Sequence, residues 1–398
     1  VVAAQRPIAA VISQGISSLT SLLLALVAAR ELGAEGLGQF AILFSILITY
    51  NSLTTGYVGD SLTVLDRFDP PLRRGLVWAA SGACLLGAAV AVASTLGMGL
   101  GWSTAAAFAA ALVAWIVEEF GRRVLVTRLE FWKLALNDVT YMAVTAAVVV
   151  GLLLTDRLTL VTLLLAMAVG SLAAVGLVLV QLPGEELALP LRGGVALRQL
   201  NRFAAWRAGQ TTIRPLSMSA IRISVALVAS TAAVGDLEGA RILATPMTTL
   251  IAGAATFLLP KMAAEERGED TRRLPVTKVA LWLGGLSLVV GLGCTLLVPL
   301  VAVPLLGEGV EVDQLAALFW ALFAAAFGLG IPFGNALVAM QQARLTFWIR
   351  VVDATVGVLV ATLLAWSMSP SWAPLGLTVG ALVGAWWCFA SLRRRGRV

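Results

Sequence analysis

Three arginines lie along one apolar segment, "FAAWRAGQTTIRPLSMSAIRISVALVAS", residues 203–230: Arg207, Arg214 and Arg222. A guanidinium keeps its charge at any physiological pH and grips phosphate through two parallel hydrogen bonds. Setting one at the centre of a membrane-spanning helix costs about 2.5–3.5 kcal/mol on translocon scales, so each position needs a physical reason. Spacings of seven and eight residues put all three within roughly an 80° arc of a regular helix. Gln210, Thr211, Ser217 and Met218 fall on or beside that arc. Arg207 lies about 6 Å inside a helix that starts at 203, near enough to the interface to snorkel. Arg214 lies about 16 Å in, where snorkelling is hardest, and Pro215 beside it frees a backbone carbonyl and bends the helix. Arg222 continues the same face. Such a stripe, facing a water-filled cleft, selects for anions; the competing reading pairs Arg214 with a buried carboxylate, for which Asp60, Glu118, Glu119, Asp138 and Asp353 are the candidates.

The rest of the chain has to hold this helix in a membrane. Of 398 residues 59% are hydrophobic and 13% charged, against about 45–50% and 25% in soluble domains. The mean hydropathy is +0.93. Repeated apolar runs long enough to span a bilayer predict an all-α, polytopic membrane protein. The short alternating segments of a transmembrane barrel do not occur. The net charge of +6 falls in the loops between spans, which argues against a nucleic-acid partner. There is no histidine, so the usual proton shuttle, metal ligand and Ser-His nucleophile are missing. Neither a catalytic nor a metal site is expected, and no cofactor. Cys84, Cys294 and Cys388 sit within apolar runs and read as small hydrophobes rather than a disulfide framework.

Twelve spans are expected, at about 8–30, 38–59, 75–97, 103–121, 134–155, 158–181, 203–230, 240–260, 277–304, 314–340, 346–367 and 373–391. The first follows Gln5 and Arg6 and is too long for a signal-peptide core, so it reads as a retained helix. Lys and Arg crowd one side: Arg6, Arg67, Arg73, Arg74, Arg122, Arg123, Arg128, Lys133, the 183–202 and 261–278 segments, Arg344 and the tail "RRRGR". The other side has Arg30, Arg157, Arg241 and the acidic "GEGVEVD". The positive-inside rule puts both termini in the cytoplasm. Trp102, Trp320, Trp366 and Trp372 near outer ends, with Trp78, Trp132, Trp206, Trp348 and Trp387 near inner ends, match the interfacial preference of indoles. Outer loops are too short for an extracytoplasmic catalytic domain, which argues against an enzyme.

An internal repeat divides the chain. "RLEFW" enters the fifth span at Arg128 and "RLTFW" the eleventh at Arg344, each followed by an acid, Asp138 or Asp353. A weaker echo links "LGAEGLGQFAIL" at 32–43 with "VGDLEGARIL" at 234–243. The expected domains are an N-terminal six-helix lobe, 1–182, a cytoplasmic connector, 183–202, and a C-terminal six-helix lobe, 203–398. An even number of spans per half gives both the same orientation, an arrangement common in transporters that rock around a central cavity. The connector's Pro and Gly predict an irregular course with a short interfacial helix near its end.

On "AARELGAEGLGQFAILFSI" (28–46), where a span ends in Arg and an "LGxxxxG" turn opens the next, on "FLLPKMA" (257–263), and on the two "RLxFW" loops, the chain resembles the polysaccharide biosynthesis exporters. These are the Wzx-like lipid-linked oligosaccharide flippases of the multidrug/oligosaccharidyl-lipid/polysaccharide (MOP) superfamily. The resemblance implies a two-lobed helical bundle that moves a polyprenyl-diphosphate-linked glycan, a cell-surface polysaccharide precursor, to the outer leaflet by alternating access. It implies residence in the bacterial cytoplasmic (inner) membrane, contact with membrane lipids, and a glycan polymerase or other assembly-pathway protein as partner. On that basis Arg30, Arg207, Arg214 and Arg222 would meet the diphosphate. Gln14, Ser17, Asn51, Tyr57, Asn137, Gln210 and Thr211 would meet glycan hydroxyls, and Asp60, Asp138 and Asp353 would serve as gate or coupling acids. Two other readings stay open: a cation/drug antiporter of the same superfamily, which needs embedded acids, and a membrane-embedded glycan polymerase or ligase, which needs a catalytic loop. A scaffold subunit with a degenerate cavity is a third.

Overall fold

The computed structural model describes the chain apart from residues 1, 66, 188–192, 246, 248–250, 252–257, 259–261, 263–264, 266–273, 341 and 398. The described residues are organised as helices. The first, α1, runs Val2–Thr54 and has 53 residues. A straight helix of that length would measure about 80 Å, against about 30 Å of hydrocarbon. Gly33, with φ +67°, breaks it into two arms, at a backbone geometry that side chains with a Cβ resist. The arms correspond to the first two expected spans. A π-helical turn, Thr55–Gly59, leads into α2, Asp60–Val64.

Four long helices follow: α3 Pro70–Gly97, α4 Trp102–Thr127, α5 Phe131–Leu154 and α6 Leu160–Gln181. Proline in the first turn starts α3, where its missing N–H costs nothing. A reciprocal Thr159–Thr162 capping box starts α6. A short α7, Gly184–Leu187, precedes α8, Leu197–Val228. Beyond these lie α9 Thr231–Leu243, α10 Val276–Leu306, α11 Gln314–Ala339, α12 Ala343–Ser367 and α13 Ala373–Arg393.

Among the described residues nine helices are long and apolar enough to cross a membrane. One of the nine contains the Gly33 break, and its two arms match the first two expected spans. The 32-residue α8, about 48 Å long, has the length of a span but carries the arginine stripe. The expected eighth span, 240–260, and its "FLLPKMA" motif lie largely outside the described residues. Two boundaries differ from expectation. The fourth span continues to Thr127, which takes Arg122 and Arg123 out of the loop and into the helix. The end of the connector is not a separate interfacial helix either: from Leu197 it is already the first turns of α8.

The chain forms two compact units, one from residues 1–25 and 43–215, the other from 26–42 and 216–398. The changeovers at 25/26, 42/43 and 215/216 fall inside α1 and α8, not in the connector. In the first unit α3 packs on α4, and α6 packs on both α4 and α5. In the second, α10 packs on α11, and α13 on both α11 and α12. The order is the same in both, counted along the chain. Phe108, Leu112 and Ile116 of α4 and Leu163, Leu164 and Met167 of α6, two helices packed on each other, are all fully buried in the first unit. The outward faces are apolar as well: Leu85, Leu154, Val180, Leu227 and Leu300 are each at least 71% exposed. Exposed apolar surface on this scale marks faces that meet membrane or a partner rather than water. Trp320 departs from the interfacial pattern. It is buried in the second unit, and its indole N–H donates to the Leu237 carbonyl at 3.2 Å.

Helices α12 and α13 approach almost backbone to backbone. A Cβ added at Gly376 would lie 2.1 Å from the Ala361 nitrogen. Gly376→Leu should therefore cost about 1–3 kcal/mol by overpacking, read as a lower thermal midpoint in detergent. Leu154→Ala on the lipid-facing surface should stay within about 0.5 kcal/mol of the parent protein.

Candidate functional site

Taking α8 to start at Leu197, Arg207 lies about 15 Å along it, Arg214 about 26 Å and Arg222 about 38 Å. The first two belong to the first unit and Arg222 to the second. Pro215 removes one backbone donor, yet the helix continues across it to Val228.

Around Arg207 the first unit assembles a polar seam. The Arg207 Nε donates to Asp60 Oδ2 at 2.7 Å, and its Nη1 donates to Gln210 Oε1 at 3.2 Å. Thr211 Oγ1 donates to the Ser52 carbonyl at 2.9 Å, and the Tyr57 hydroxyl donates to Asn201 Oδ1. The π turn makes this possible. Gly56 within it presses on Ala208 and Thr211 so closely that an added Cβ would lie 2.7 Å from the Ala208 Cα. Tyr57, Asp60, Arg207, Gln210 and Thr211, all selected from the sequence, are thus brought together, and Asn51 is half-buried on the preceding turn. Asp60 neutralises Arg207 rather than standing alone as a gate. Arg214 is exposed on the next turns of α8.

Arg222 has a partner absent from the sequence-derived candidates. Its Nη2 is 2.7 Å from Glu238 Oε1 of α9, and Arg241 Nε donates to Glu238 Oε2 at 2.7 Å. One buried carboxylate therefore serves two guanidinium groups, so the cluster keeps an excess positive charge. Arg241 carries it at the surface, 38% exposed against 14% for Arg222. The i, i+3 spacing of Glu238 and Arg241 was the sequence signal. Arg30 is exposed in the same unit, its backbone beside Gly307.

A third cluster lies within the first unit, on α1, α4 and α5. Arg122 bonds Glu119 at 2.7 Å and lies 2.9 Å from Asp138, while Arg123 bonds the other Glu119 oxygen at 2.7 Å. The Ser13 hydroxyl donates to Asp138. Asn137, fully buried, donates to the Ala174 carbonyl at 2.7 Å and so ties α5 to α6. Gln14 is exposed and Ser17 half-buried on the same arm of α1 as Ser13. In the second unit Asp353 pairs with Arg350 at 3.0 Å. All three acids selected from the sequence, Asp60, Asp138 and Asp353, thus hold an arginine.

No family model matches the chain, and no curated protein does. Solved structures do share its fold. A multidrug resistance MATE family transporter of the MOP superfamily, in an inward-facing conformation, superposes with a TM-score of 0.73 and 14% identity, over 97% of this chain and 98% of that one. The lipid II flippase MurJ, inward closed, gives 0.74 and 11% identity over 97% and 87%. A mutant of the Vibrio cholerae MATE transporter VcmN gives 0.65 and 13% over 99% and 96%. The chain has the polytopic all-helical fold of MOP superfamily transporters.

The Glu238 cluster yields a direct test. Glu238→Ala leaves two guanidinium groups in mutual repulsion, one of them mostly buried, and should cost about 3–5 kcal/mol. Asp60→Ala, which frees only the half-exposed Arg207, should cost about 0–1 kcal/mol. Thermal unfolding of the two variants in detergent compares them.

Proposed function

We propose that the chain is a flippase that moves a polyprenyl-diphosphate-linked oligosaccharide from the cytoplasmic to the outer leaflet of a bacterial inner membrane by alternating access. The observation that carries this reading is the charge on and around α8. Arg207 and Arg214 mark successive depths of the helix, and further along Arg222 and Arg241 share a single carboxylate. A diphosphate is the membrane-borne group best matched to several guanidinium groups in succession. Gln210 and Thr211 on α8, with Asn51 and Tyr57 on the facing polar turn, offer hydrogen bonds to sugar hydroxyls. Gln14, Ser17 and Arg30 are further candidates for the same path, while the polyprenyl tail stays in lipid.

The shared fold supports a transporter, and the presence of a lipid II flippase among the similar structures supports a lipid-linked cargo. The charge bias of the loops supports cytoplasmic termini, and the matching packing order supports a duplicated plan of two six-helix lobes, 1–182 and 203–398, joined at 183–202. An inside-negative potential would assist outward movement of an anion by about 2.3 kcal/mol per charge per 100 mV. A glycan polymerase or another assembly protein would act on the delivered substrate.

The antiporter reading draws on the carboxylates of the first unit, but Glu119 and Asp138 are engaged by Arg122 and Arg123. The decisive experiment is leaflet translocation of a fluorescent polyprenyl-diphosphate oligosaccharide in proteoliposomes. Arg214→Ala should slow it about tenfold or more, equivalent to about 1.4 kcal/mol of lost phosphate interaction. Unchanged transport at equal protein incorporation would sink the anion role. Saturable binding of an organic cation in place of the glycan lipid would favour the antiporter.

A further inference from the structure

A pocket in the first unit, lined by none of the α8 arginines, has both walls and a charged rim. It measures about 200 Å³ and lies among α2, α3 and α4. Val58, Leu62, Leu76, Val77, Phe120 and Val124 supply apolar walls, and Arg67, Arg73 and Glu186 stand at its edge. The rim is built from Arg67 in the loop before α3, Arg73 in the first turn of α3, and Glu186 of α7. Arg67 binds Glu186 through Nε and Nη2, at 3.2 and 2.9 Å, and Arg128 reaches the same carboxylate at 3.4 Å. Arg73 donates instead to the backbone carbonyls of Glu185 and Glu186, at 2.6 and 2.8 Å. Phe68, half exposed, lies under both guanidinium groups, 4.6 Å from Arg67 and 5.7 Å from Arg73.

Among the described residues the pairs at this rim are unequal: Arg67 and Arg128 meet Glu186, and Arg128 and Lys133 meet Glu130. Arg73 in particular is held by carbonyl dipoles, which orient a guanidinium without cancelling its charge. The site is thus an apolar slot with a cationic rim, at the arginine-rich ends of the spans.

We infer that this pocket binds an anionic glycerophospholipid of the adjacent leaflet. Part of an acyl chain lies along Leu62, Leu76, Val77 and Phe120, and the phosphate rests on Arg73 and Arg67. Neither half of the site is explained by a simpler ligand. A soluble phosphate has no use for the apolar walls, and a neutral lipid has none for the arginines. Basic pockets between spanning helices on the cytoplasmic side favour anionic headgroups for this reason. The phosphate competes with Glu186 for Arg67, so lipid occupancy is coupled to the hold of α7 on the loop. This inference goes beyond the transport reading and does not depend on it.

The test uses the full chain in mild detergent, with lipid retention read by native mass spectrometry and stabilisation by thermal midpoint. Phosphatidylglycerol should be retained and should raise the midpoint, whereas phosphatidylcholine should do neither. Arg73→Gln, which leaves the Arg67–Glu186 pair in place, should weaken phosphatidylglycerol retention about tenfold. Ala80→Phe, which fills the slot without altering any charge, should abolish it, and it decides the matter if Arg73→Gln folds poorly. Equal retention of the two lipids, or retention by Ala80→Phe at the level of the parent chain, overturns the proposal. So does a midpoint shift reproduced by inorganic phosphate alone, which would mark a simple anion site. Protection by a polyprenyl phosphate but not by phosphatidylglycerol also overturns it, by assigning the pocket to a different lipid.

Discussion

An ionised group inside a helical bundle surrounded by lipid must find its opposite within the protein. Water is not there to screen it, and several kcal/mol ride on each failure. Most of the buried charges meet this demand, Glu118 on α4 being buried without an ion pair among the described residues. Glu119 takes Arg122 and Arg123, Asp138 takes Arg122, and Glu238 takes Arg222 and Arg241. At the chain's end Arg397 reaches the buried Glu265 at 3.3 Å. Such pairs add little net stability over apolar residues of equal size, but breaking one is costly. Their effect is to fix which helix faces which, with what rotation: α4 is registered on α5 by Arg122, and α8 on α9 by Arg222.

Against that background the unequal clusters are the informative ones. Where acid and base match, a structural role suffices. Where two guanidinium groups share one carboxylate, the remaining charge is available to something outside the chain. Arg241 in the second unit has this character, and so does Arg73 beside α7. Both sit at the margin of a cluster, Arg241 more exposed than Arg222 and Arg73 held, among the described residues, by carbonyl dipoles and the Phe68 ring. A protein that handles anionic lipid would place its spare cations there, where approach requires no unpairing of a buried ion.

Most of the fold was legible because hydrophobic runs and loop charges are strong, additive signals. The spans came out near their observed positions, and Gly33 was already marked by the "ELGAEG" turn. The fine register was harder. Ending the fourth span at 121 treated Arg122 and Arg123 as loop cations, since a window of hydropathy stops where charge begins; the helix instead carries them on, each within one turn of Glu119. Likewise Glu238 escaped notice because its segment was read as a loop between spans, not as α9. The "RLxFW" repeat located equivalent regions but not equivalent turns. Phe131 opens α5, whereas Phe347 lies more than a turn inside α12. Arg207, close enough to the helix end to snorkel and also counted among the diphosphate ligands, pairs with Asp60, an acid that the sequence offered as a partner for Arg214 instead.

The π turn at Thr55–Gly59 sets the rotation of everything beyond it. Such a turn accommodates one residue more than an α-helix would over the same rise. From Asp60 onward the chain is rotated by about 100° relative to Asn51 and Ser52 compared with an uninterrupted helix. Asp60 thereby reaches Arg207 while the Ser52 carbonyl, on the near side, still receives Thr211. One extra residue in a single turn thus lets two ends of the same helix grip one stretch of α8.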